Sequence, residues 1–407
     1  MRILFLTHRL PYAANKGDRL RALHILRALA GRATVDLVSL VHSADEARHA
    51  ADLASLVETV AVAPVSRLAG CARAALGLPT NRPFTHAMLF AQEVRDACRR
   101  IVAAHRPDVV LAYCSGMARF ALEPPHGAVP MVLDMLDVGS EKWRALGASS
   151  APPARWLYAS EARRLSAFEA HAARAAHTVM VVNERERDAL LRLAPSAHVV
   201  VVPNGVDAAE FHPPAGPSAD RRVTFCGVMS YRPNVEGVLW FADQVWPLIR
   251  EKDPHAVLSV VGSDPTPAVR RLGAGDPRIE VTGSVPDTRP YLWRSAVGIA
   301  PLLLARGVQN KVLEAVSAGL PCVVTPAVLD GLPPEILPAC LVAADAPRFA
   351  SAVLTLLDRS PADRRAMAER ADLTPLAWST RLAPLMDALD AAARSAPQPA
   401  SSRAEVA

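Results

Sequence analysis

The chain has 407 residues, of which 51% are hydrophobic and 21% are charged. This composition supplies a large core and excludes a chain that is disordered throughout, and at about 150 residues per domain the length predicts two or three domains. The net charge of +5 is uneven, because residues 1–205 hold 25 Lys and Arg against 18 Asp and Glu. This excess is too small to indicate nucleic-acid binding, but a basic first half could face an anionic substrate or a lipid surface.

Short apolar runs alternate with stretches of helical periodicity along the whole chain. In the first half the predicted strands are Ile3–Thr7, Thr34–Leu40, Thr59–Ala63, Val109–Tyr113, Met131–Asp134, Thr178–Val182 and Val199–Val202. In the second half they are Val223–Cys226, Ala256–Val261, Ile279–Val281, Val297–Ala300, Cys322–Thr325 and Cys340–Val342. Predicted helices of the second half lie at about 234–251, 288–295, 310–318, 347–358 and 375–392. This alternation predicts α/β domains with parallel sheets.

A Pro- and Gly-rich stretch, residues 203–221, interrupts the alternation. We therefore predict an N-terminal Rossmann-like domain over 1–203 and a second Rossmann-like domain over 204–375. A C-terminal helix over 376–394 would cross back to the first domain, and residues 395–407 would form a disordered tail. Because ligands of doubly wound sheets bind at the carboxyl ends of the strands, this arrangement predicts a cleft between two facing domains.

The cysteine pattern and the hydropathy of the chain predict its compartment. Six cysteines are scattered without CxxC spacing, and the apolar start of the chain is too short for a signal peptide. No apolar run reaches the roughly 18 residues that span a bilayer. We expect a cytoplasmic protein with at most a peripheral contact at the inner membrane face, and the motifs predict no metal site.

The most informative segment is PLLLARGVQNKVLEAVSAGLPCVV, residues 301–324. It predicts a loop with a glycine, then a helix that begins near Gln309, and then a strand. A helix N-terminus after a glycine turn binds phosphate groups through its free N–H groups. Lys311 would reach a phosphate, and Glu314 would accept the hydroxyls of a ribose. The structural alternative is an ordinary helix with an exposed lysine and glutamate.

This segment resembles the donor-binding helix of the retaining glycosyltransferases of family four, which have the GT-B fold. The resemblance covers residues 1 to about 390. It implies that Glu314 binds the ribose of a nucleotide sugar, whereas the family's first glutamate is replaced by Arg306. Arg306 would pair with a carboxylate or phosphate of a substrate, or it would simply be solvated. The donor-binding residues implied by the resemblance are Gly17, Gly227, Gly283, Arg306, Gly307, Val308, Gln309, Asn310 and Glu314.

The segment FCGVMSYRPN, residues 225–234, resembles the first strand and loop of the family's second domain. In the family a basic pair there clamps the diphosphate, but its usual positions are Val228 and Pro233 in this chain. We therefore predict that Arg232 substitutes for the pair and that the catalytic residues are Asp137, Lys311 and Arg232. The alternative for Arg232 is a solvated turn residue.

The acceptor side is predicted from two segments of the first half. The loop after the first strand contains Lys16 and leads into a helix capped near Asp18, and we expect Arg19 and Arg21 at the surface. The stretch VLDMLDVGSEKW, residues 132–143, follows the fifth strand. Asp137 would orient or deprotonate an acceptor hydroxyl, with a structural pair with Lys142 as the alternative. The acceptor-side residues of this prediction are Lys16, Asp18, Asp134, Ser140 and Lys142.

The order of these motifs resembles the sugar transferases associated with exosortase (PEP-CTERM) exopolysaccharide systems. This resemblance implies transfer of a sugar from a UDP- or GDP-linked donor to a saccharide acceptor, lipid-linked in our expectation, with retention of configuration. It implies no metal and no cofactor beyond the nucleotide sugar. Two alternatives stay open at this point, a non-catalytic nucleotide-sugar-binding or scaffold relative and a nucleotide-sugar epimerase.

Overall fold

A computed structural model describes residues 1–12, 17–77, 80–124, 128–213, 216–305 and 307–395. The chain divides into two compact units. The first consists of Met1–Pro203 and the C-terminal segment that begins at Leu382, and the second is Asn204–Arg381. The predicted tail over 395–407 lies, apart from Ser395, outside the described residues.

The described residues form two sheets in which all neighbouring strands are parallel. The strands are β1 (Arg2–Thr7), β2 (Thr34–Val41), β3 (Thr59–Pro64), β4 (Val109–Tyr113), β5 (Met131–Leu136), β6 (Thr178–Val181), β7 (Val199–Val201), β8 (Arg222–Cys226), β9 (Val257–Val261), β10 (Ile279–Gly283), β11 (Val297–Ala300), β12 (Cys322–Val324) and β13 (Cys340–Val342). The first unit has the order β3-β2-β1-β4-β5-β6-β7, and the second has β10-β9-β8-β11-β12-β13. The predicted strands are confirmed, each within two residues at either end.

The described α-helices cover both faces of each sheet. They are α1 (Gly17–Ala30), α2 (Ala44–Arg48), α3 (Arg67–Leu76), α4 (Phe84–Met88), α5 (Gln92–Ala104), α6 (Ser115–Ala121), α7 (Gly139–Ala148), α8 (Ala154–Ala175), α9 (Glu184–Leu193), α10 (Ala208–Phe211), α11 (Arg232–Trp240), α12 (Trp246–Lys252), α13 (Pro267–Gly275), α14 (Arg289–Trp293), α15 (Asn310–Ser317), α16 (Pro326–Leu329), α17 (Ala346–Leu357), α18 (Pro361–Ala368), α19 (Trp378–Arg381) and α20 (Ala383–Ser395).

Two predicted helices are interrupted, and a proline explains each interruption. A π-helical turn, Phe241–Val245, separates α11 from α12, and Pro247 follows it. The predicted C-terminal helix is divided into α19 and α20 just before Pro384. Proline lacks the N–H that an α-helix needs and its ring clashes with the preceding turn, so a regular helix does not run through it.

The sheets are buried on both faces, as their continuous apolar strands predict. In β1 every side chain from Ile3 to Leu6 has no exposed surface, and the same holds for β4 from Val109 to Ala112. The last helix, α20, packs on β4, β5 and β6 of the first unit and buries Leu385 and Leu389 there. Within the described residues, no helix is both long and apolar enough to cross a membrane.

Each sheet has one point where the strand order reverses, which we call its switch point. In the first sheet this point lies between β1 and β4, and in the second it lies between β8 and β11. The loops that leave the carboxyl ends of two such strands diverge to opposite sides and leave a crevice, which is where doubly wound sheets bind their ligands. In the second unit, a ligand is therefore expected to bind at the loops after β8 and β11.

Candidate functional site

The switch point of the second sheet is built from backbone that approaches very closely. The N–H of Gly227, just after β8, donates to the carbonyl of Val261 at the end of β9, at 2.9 Å. Gly262 has φ of +146°, and an added Cβ there would overlap the carbonyl oxygen of Gly227. Only glycine fits such a contact at that φ. The loops after β8 and β9 therefore contact each other through backbone atoms.

The loop after β11 turns at Gly307 and leads into α15. Gly307 has φ of +67°, in the left-handed region. The residue before the helix, Gln309, makes no side-chain capping bond to it; its Nε2 donates instead to the Gly307 carbonyl at 3.3 Å. No side-chain cap therefore occupies the first-turn N–H groups of α15. These groups can donate hydrogen bonds to an anion.

Lys311 is held in place by two amide side chains. Its Nζ donates to Oδ1 of Asn234 at 3.2 Å and to Oε1 of Gln309 at 3.1 Å, and it lies 5.4 Å from the centre of the Phe225 ring. Desolvation lowers the pKa of Lys311 to about 8, although the charge of Glu314 opposes this shift. The ammonium is thus fixed in a pocket of amide oxygens and stays mostly charged at neutral pH.

Glu314 lies one helical turn beyond Asn310 and is half-buried. Desolvation raises the pKa of Glu314 to about 7, since it outweighs the attraction of Lys311, and the charge of Glu210 on α10 adds to the rise. A carboxylate that has lost water through burial is stabilised by hydrogen-bond donors that take the place of that water. Two ribose hydroxyls would supply such donors.

Asn234 was not among the predicted site residues, yet its side chain lies beside Gly227. It is 4% exposed, and its Nδ2 donates to the carbonyl of Val228 at 2.9 Å. An added Cβ at Gly227 would lie 2.7 Å from this Nδ2. A glycine at 227 therefore leaves room for the amide that orients Lys311.

Arg232 lies at the surface of the second unit. Its side chain is 80% exposed, and its Nε pairs with Oε1 of Glu236 at 2.6 Å along α11. Its assignment to the catalytic group stays a prediction. Arg306 lies outside the described residues, so its assignment also stays a prediction.

Two further predicted donor residues lie on opposite sides of the switch point. The side chain of Val308 is half-buried and packs against the hydrophobic core of the second unit. Gly283 ends β10 with φ of +70°. It lines a cavity of about 600 Å³ together with Asp264, Arg270 and Thr282. The cavity is open to solvent.

In the first unit, the expectation that Arg21 lies at the surface is wrong. Arg21 is fully buried, and its Nε donates to Oδ2 of Asp134 at 2.8 Å, both side chains having no exposed surface. Nη1 of Arg21 donates to the carbonyl of Val202 at 2.8 Å. Arg19 is also buried, with Nη2 lying 3.0 Å from Oε1 of Glu46. Helix α1 turns these cations inward because buried carboxylates face them.

Asp134 therefore ties α1 to β5, and its placement on the acceptor side stays a prediction. Asp137, three residues on, is exposed just beyond β5. Its N–H donates to the carbonyl of Met135 at 2.9 Å in a turn where Leu136 has φ of +63°. This turn presents the Asp137 carboxylate at the carboxyl edge of the first sheet.

Two buried glutamates from distant helices anchor the residues after Asp137. Oε2 of Glu186, on α9, accepts the N–H of Val138 at 2.8 Å. The carboxylate of Glu169, on α8, accepts the N–H of Ser140 at 3.3 Å. Desolvation raises the pKa of Glu169 to about 7, and hydrogen bonds from Gly139 and Ser140 oppose the rise. Neither glutamate could be recognised from the sequence, because both belong to ordinary helical patterns.

The other predicted acceptor-side residues are distributed around this loop. Ser140 is fully buried at the start of α7, and Lys142 is exposed two residues later. Gly17 begins α1 with Asp18 after it, and Lys16 lies outside the described residues. Within the described ranges, no group of three or more His, Cys, Asp and Glu could hold a metal ion.

Comparison with protein families gives a match for each unit. Residues 17–205 match a family described as glycosyl transferase 4-like domain. Residues 220–359 match a family described as glycosyl transferases group 1. No curated protein matches the chain.

Comparison with solved structures finds the same fold over nearly the whole chain. Sucrose-phosphate synthase from Thermosynechococcus elongatus is 16% identical with a TM-score of 0.68, covering 96% of this chain and 100% of that one. HepE from Anabaena in complex with UDP is 15% identical with a TM-score of 0.63, covering 96% and 100%. WaaG, a glycosyltransferase involved in lipopolysaccharide biosynthesis, is 17% identical with a TM-score of 0.62, covering 93% and 98%.

Proposed function

We propose a reaction for this chain, which is a GT-B glycosyltransferase. Its two units match the families described as glycosyl transferases group 1 and glycosyl transferase 4-like domain. It transfers a sugar from a UDP- or GDP-linked donor to a saccharide acceptor, lipid-linked in our proposal, with retention of anomeric configuration. The observation that carries the donor assignment is that Lys311 and Glu314 both lie on α15, just after the Gly307 turn at the switch point of the second sheet. A neighbour of the same fold, HepE, is described in complexes with UDP and with UDP-glucose.

The donor would bind with its diphosphate at the start of α15. The Lys311 ammonium and the helix N–H groups would neutralise the negative charge that develops on the leaving diphosphate, which is the main electrostatic demand of the transfer. The Glu314 carboxylate would accept the ribose hydroxyls. The close backbone of Gly227 and Gly262 would let the phosphates approach the sheet edge, and the base would lie in the cavity beyond Gly283.

The acceptor would be oriented by Asp137, whose carboxylate is exposed at the edge of the first sheet. We propose that the acceptor hydroxyl attacks the face of the sugar from which the diphosphate departs. The leaving phosphate oxygen then takes the hydroxyl proton, the bond to the acceptor oxygen forms and the bond to the diphosphate oxygen breaks. The biological setting that we propose is bacterial exopolysaccharide synthesis of the exosortase (PEP-CTERM) type, in the cytoplasm.

Thermal unfolding with UDP, GDP and ADP and their sugars tests the donor site. A true ligand at about 100 times its Kd stabilises the folded protein by roughly 2.7 kcal/mol. Glu314→Ala should abolish the shift, whereas Glu251→Ala, an exposed glutamate of the same unit, should leave it unchanged. A shift that survives in Glu314→Ala would contradict the donor assignment.

With the base known, proton NMR of the product reports whether the anomeric configuration is retained.

A further inference from the structure

The cavity beside the end of β10 carries two charged side chains that have no partner in the part of the chain that the structure describes. The carboxylate of Asp264 and the guanidinium of Arg270 both line it, and neither forms a hydrogen bond or an ion pair with another described residue. By contrast, Arg250 and Arg294 of the same unit are paired with carboxylates. The cavity therefore offers one acceptor group and one donor group to a ligand.

The loop that carries Asp264 is held in place by its neighbour. The N–H of Met229 donates to the carbonyl of Ser263 at 2.7 Å, and the N–H of Thr266 donates to the carbonyl of Met229 at 3.3 Å. Between these two bonds Asp264 has φ of +56°, in the left-handed region that Asp and Asn adopt more readily than other residues with a side chain. The backbone of this exposed residue is thus fixed on both sides without a ligand.

The cavity is joined to the switch point of the second sheet by neighbouring residues. Thr282 lines the cavity, and its Oγ1 accepts the N–H of Gly262 at 3.4 Å. Gly262 lies against the carbonyl of Gly227, and an added Cβ at Gly227 would lie 3.4 Å from Cε of Lys311. A continuous series of contacts therefore leads from Lys311 to the wall of the cavity.

The two free side chains differ in which nucleotide bases they suit. A carboxylate offers only hydrogen-bond acceptors and a guanidinium offers only donors. Guanine presents two adjacent donors, N1–H and the 2-amino group, and two adjacent acceptors, O6 and N7. Uracil has a single donor between two carbonyls, and adenine has an acceptor at N1 beside its amino group. Guanine alone among the three gives the carboxylate two donors.

We propose that this cavity binds guanine and that the donor is a GDP-linked sugar, an assignment that rests on the donor site proposed above. The Asp264 carboxylate accepts N1–H and the 2-amino group, and the Arg270 guanidinium donates to O6 and N7. Pro265, Ile279 and Val281 add apolar contacts, because they also line the cavity. Its volume of about 600 Å³ lies within the range of about 300–1,000 Å³ that is usual for ligand pockets.

Isothermal titration of the full chain with nucleoside diphosphates tests the assignment. GDP should bind at least about tenfold more tightly than UDP or ADP, since a bidentate contact discriminates strongly between bases. IDP lacks the 2-amino group and should bind about tenfold more weakly than GDP. R270A should lose about tenfold in affinity for GDP. R271A is the matched control, because Arg271 is exposed and its Nε donates to the carbonyl of Pro267 at 3.3 Å.

The variant D264N tests the direction of the hydrogen bonds. Asparagine keeps the shape of the side chain and tolerates the same φ, but it offers one acceptor and one donor. This pair matches xanthine, in which N1–H lies beside a carbonyl at C2. D264N should therefore bind GDP about tenfold more weakly than the wild type and bind XDP more tightly than the wild type does. D243N, at an exposed aspartate of the same unit, should bind each nucleotide like the wild type.

The variant Glu314→Ala separates base selection from the donor site itself. It removes the proposed ribose contact, so it should weaken all the nucleotides equally and keep their order. Wild-type protein that binds UDP or ADP as tightly as GDP would overturn the guanine assignment and leave the donor site intact. The same holds if D264N keeps the wild-type preference for GDP over XDP. If no nucleotide binds the wild type, the donor site and the guanine assignment both fail.

Discussion

Asn234 holds the ammonium of Lys311 at the switch point of the second sheet. Oδ1 of Asn234 lies 3.2 Å from Nζ of Lys311, while its Nδ2 is bound to the carbonyl of Val228. The second bond fixes which end of the amide faces the lysine, so the amide presents an acceptor and not a donor to the cation. The lysine is therefore preorganised for an anion before any ligand arrives.

The first prediction compares Asn234 with its exposed neighbour Arg232. We expect Asn234→Ala to raise the Kd of a nucleoside diphosphate about tenfold, because Lys311 loses the acceptor that orients it. Arg232→Ala should change this Kd by less than about threefold, since its guanidinium is exposed and paired with Glu236. Isothermal titration of both variants makes the comparison. The reverse order of effects would support the assignment of Arg232 to the diphosphate.

The second prediction concerns the pH dependence of donor binding. The Glu314 carboxyl must be ionised, which requires a pH above about 7, and Lys311 must be protonated, which requires a pH below about 8. The affinity for a nucleotide sugar should therefore be greatest between these values and fall on both sides. In Lys311→Arg the alkaline fall should disappear, because a guanidinium stays charged. An affinity that is flat from pH 6 to 9 would contradict the assigned roles.

The third prediction separates structural from catalytic aspartates in the first unit. Asp134→Ala leaves the buried Arg21 guanidinium without its carboxylate, so we expect a loss of about 3–5 kcal/mol in the free energy of unfolding. The double variant Asp134→Leu with Arg21→Met should recover much of this loss, because no buried charge remains. Urea denaturation measures both. By contrast, Asp137→Asn should lower kcat and leave the unfolding curve unchanged, since Asp137 is exposed.

The fourth prediction uses the buried carboxyl of Glu169. Its pKa is raised from 4.5 to about 7 in the folded protein, so the folded state holds this proton more tightly than the unfolded state. The stabilisation is complete below about pH 4.5 and is lost as the pH rises through 7. Between pH 5 and pH 8 the linkage amounts to about 2.5 kcal/mol. Glu169→Gln should reduce the wild-type decrease in stability over this range by that amount, as measured by urea denaturation at both pH values.

The fifth prediction concerns the backbone contact beneath the donor site. Gly262→Ala places a methyl group on the Gly227 carbonyl at a φ that alanine avoids. We expect loss of nucleotide binding and a fall of several °C in Tm. Gly275→Ala is the matched control, because nothing lies within 4 Å of its added Cβ. If Gly262→Ala melts and binds like Gly275→Ala, the two loops do not meet as described.

Much of the fold could be predicted because its signals are local. The strands are runs of consecutive apolar residues, and Gly307, Lys311 and Glu314 follow one another within a single loop and helix. Side-chain partners that come from distant segments carry no such signal. Asn234 lies 77 residues from Lys311, and Arg21 lies 113 residues from Asp134. A charged residue at helical spacing is ordinarily solvated, and only the buried carboxylate explains why Arg21 is not.

The C-terminal helix α20 determines the order in which the chain can complete its fold. It covers β4, β5 and β6, strands that a ribosome releases more than 200 residues earlier. While the second unit is being synthesised, these strands lack the helix that finally covers them. The first unit should therefore remain incompletely protected from proteases until residues 383–395 emerge. An expressed fragment that ends at Pro203 would preserve that unfinished state permanently.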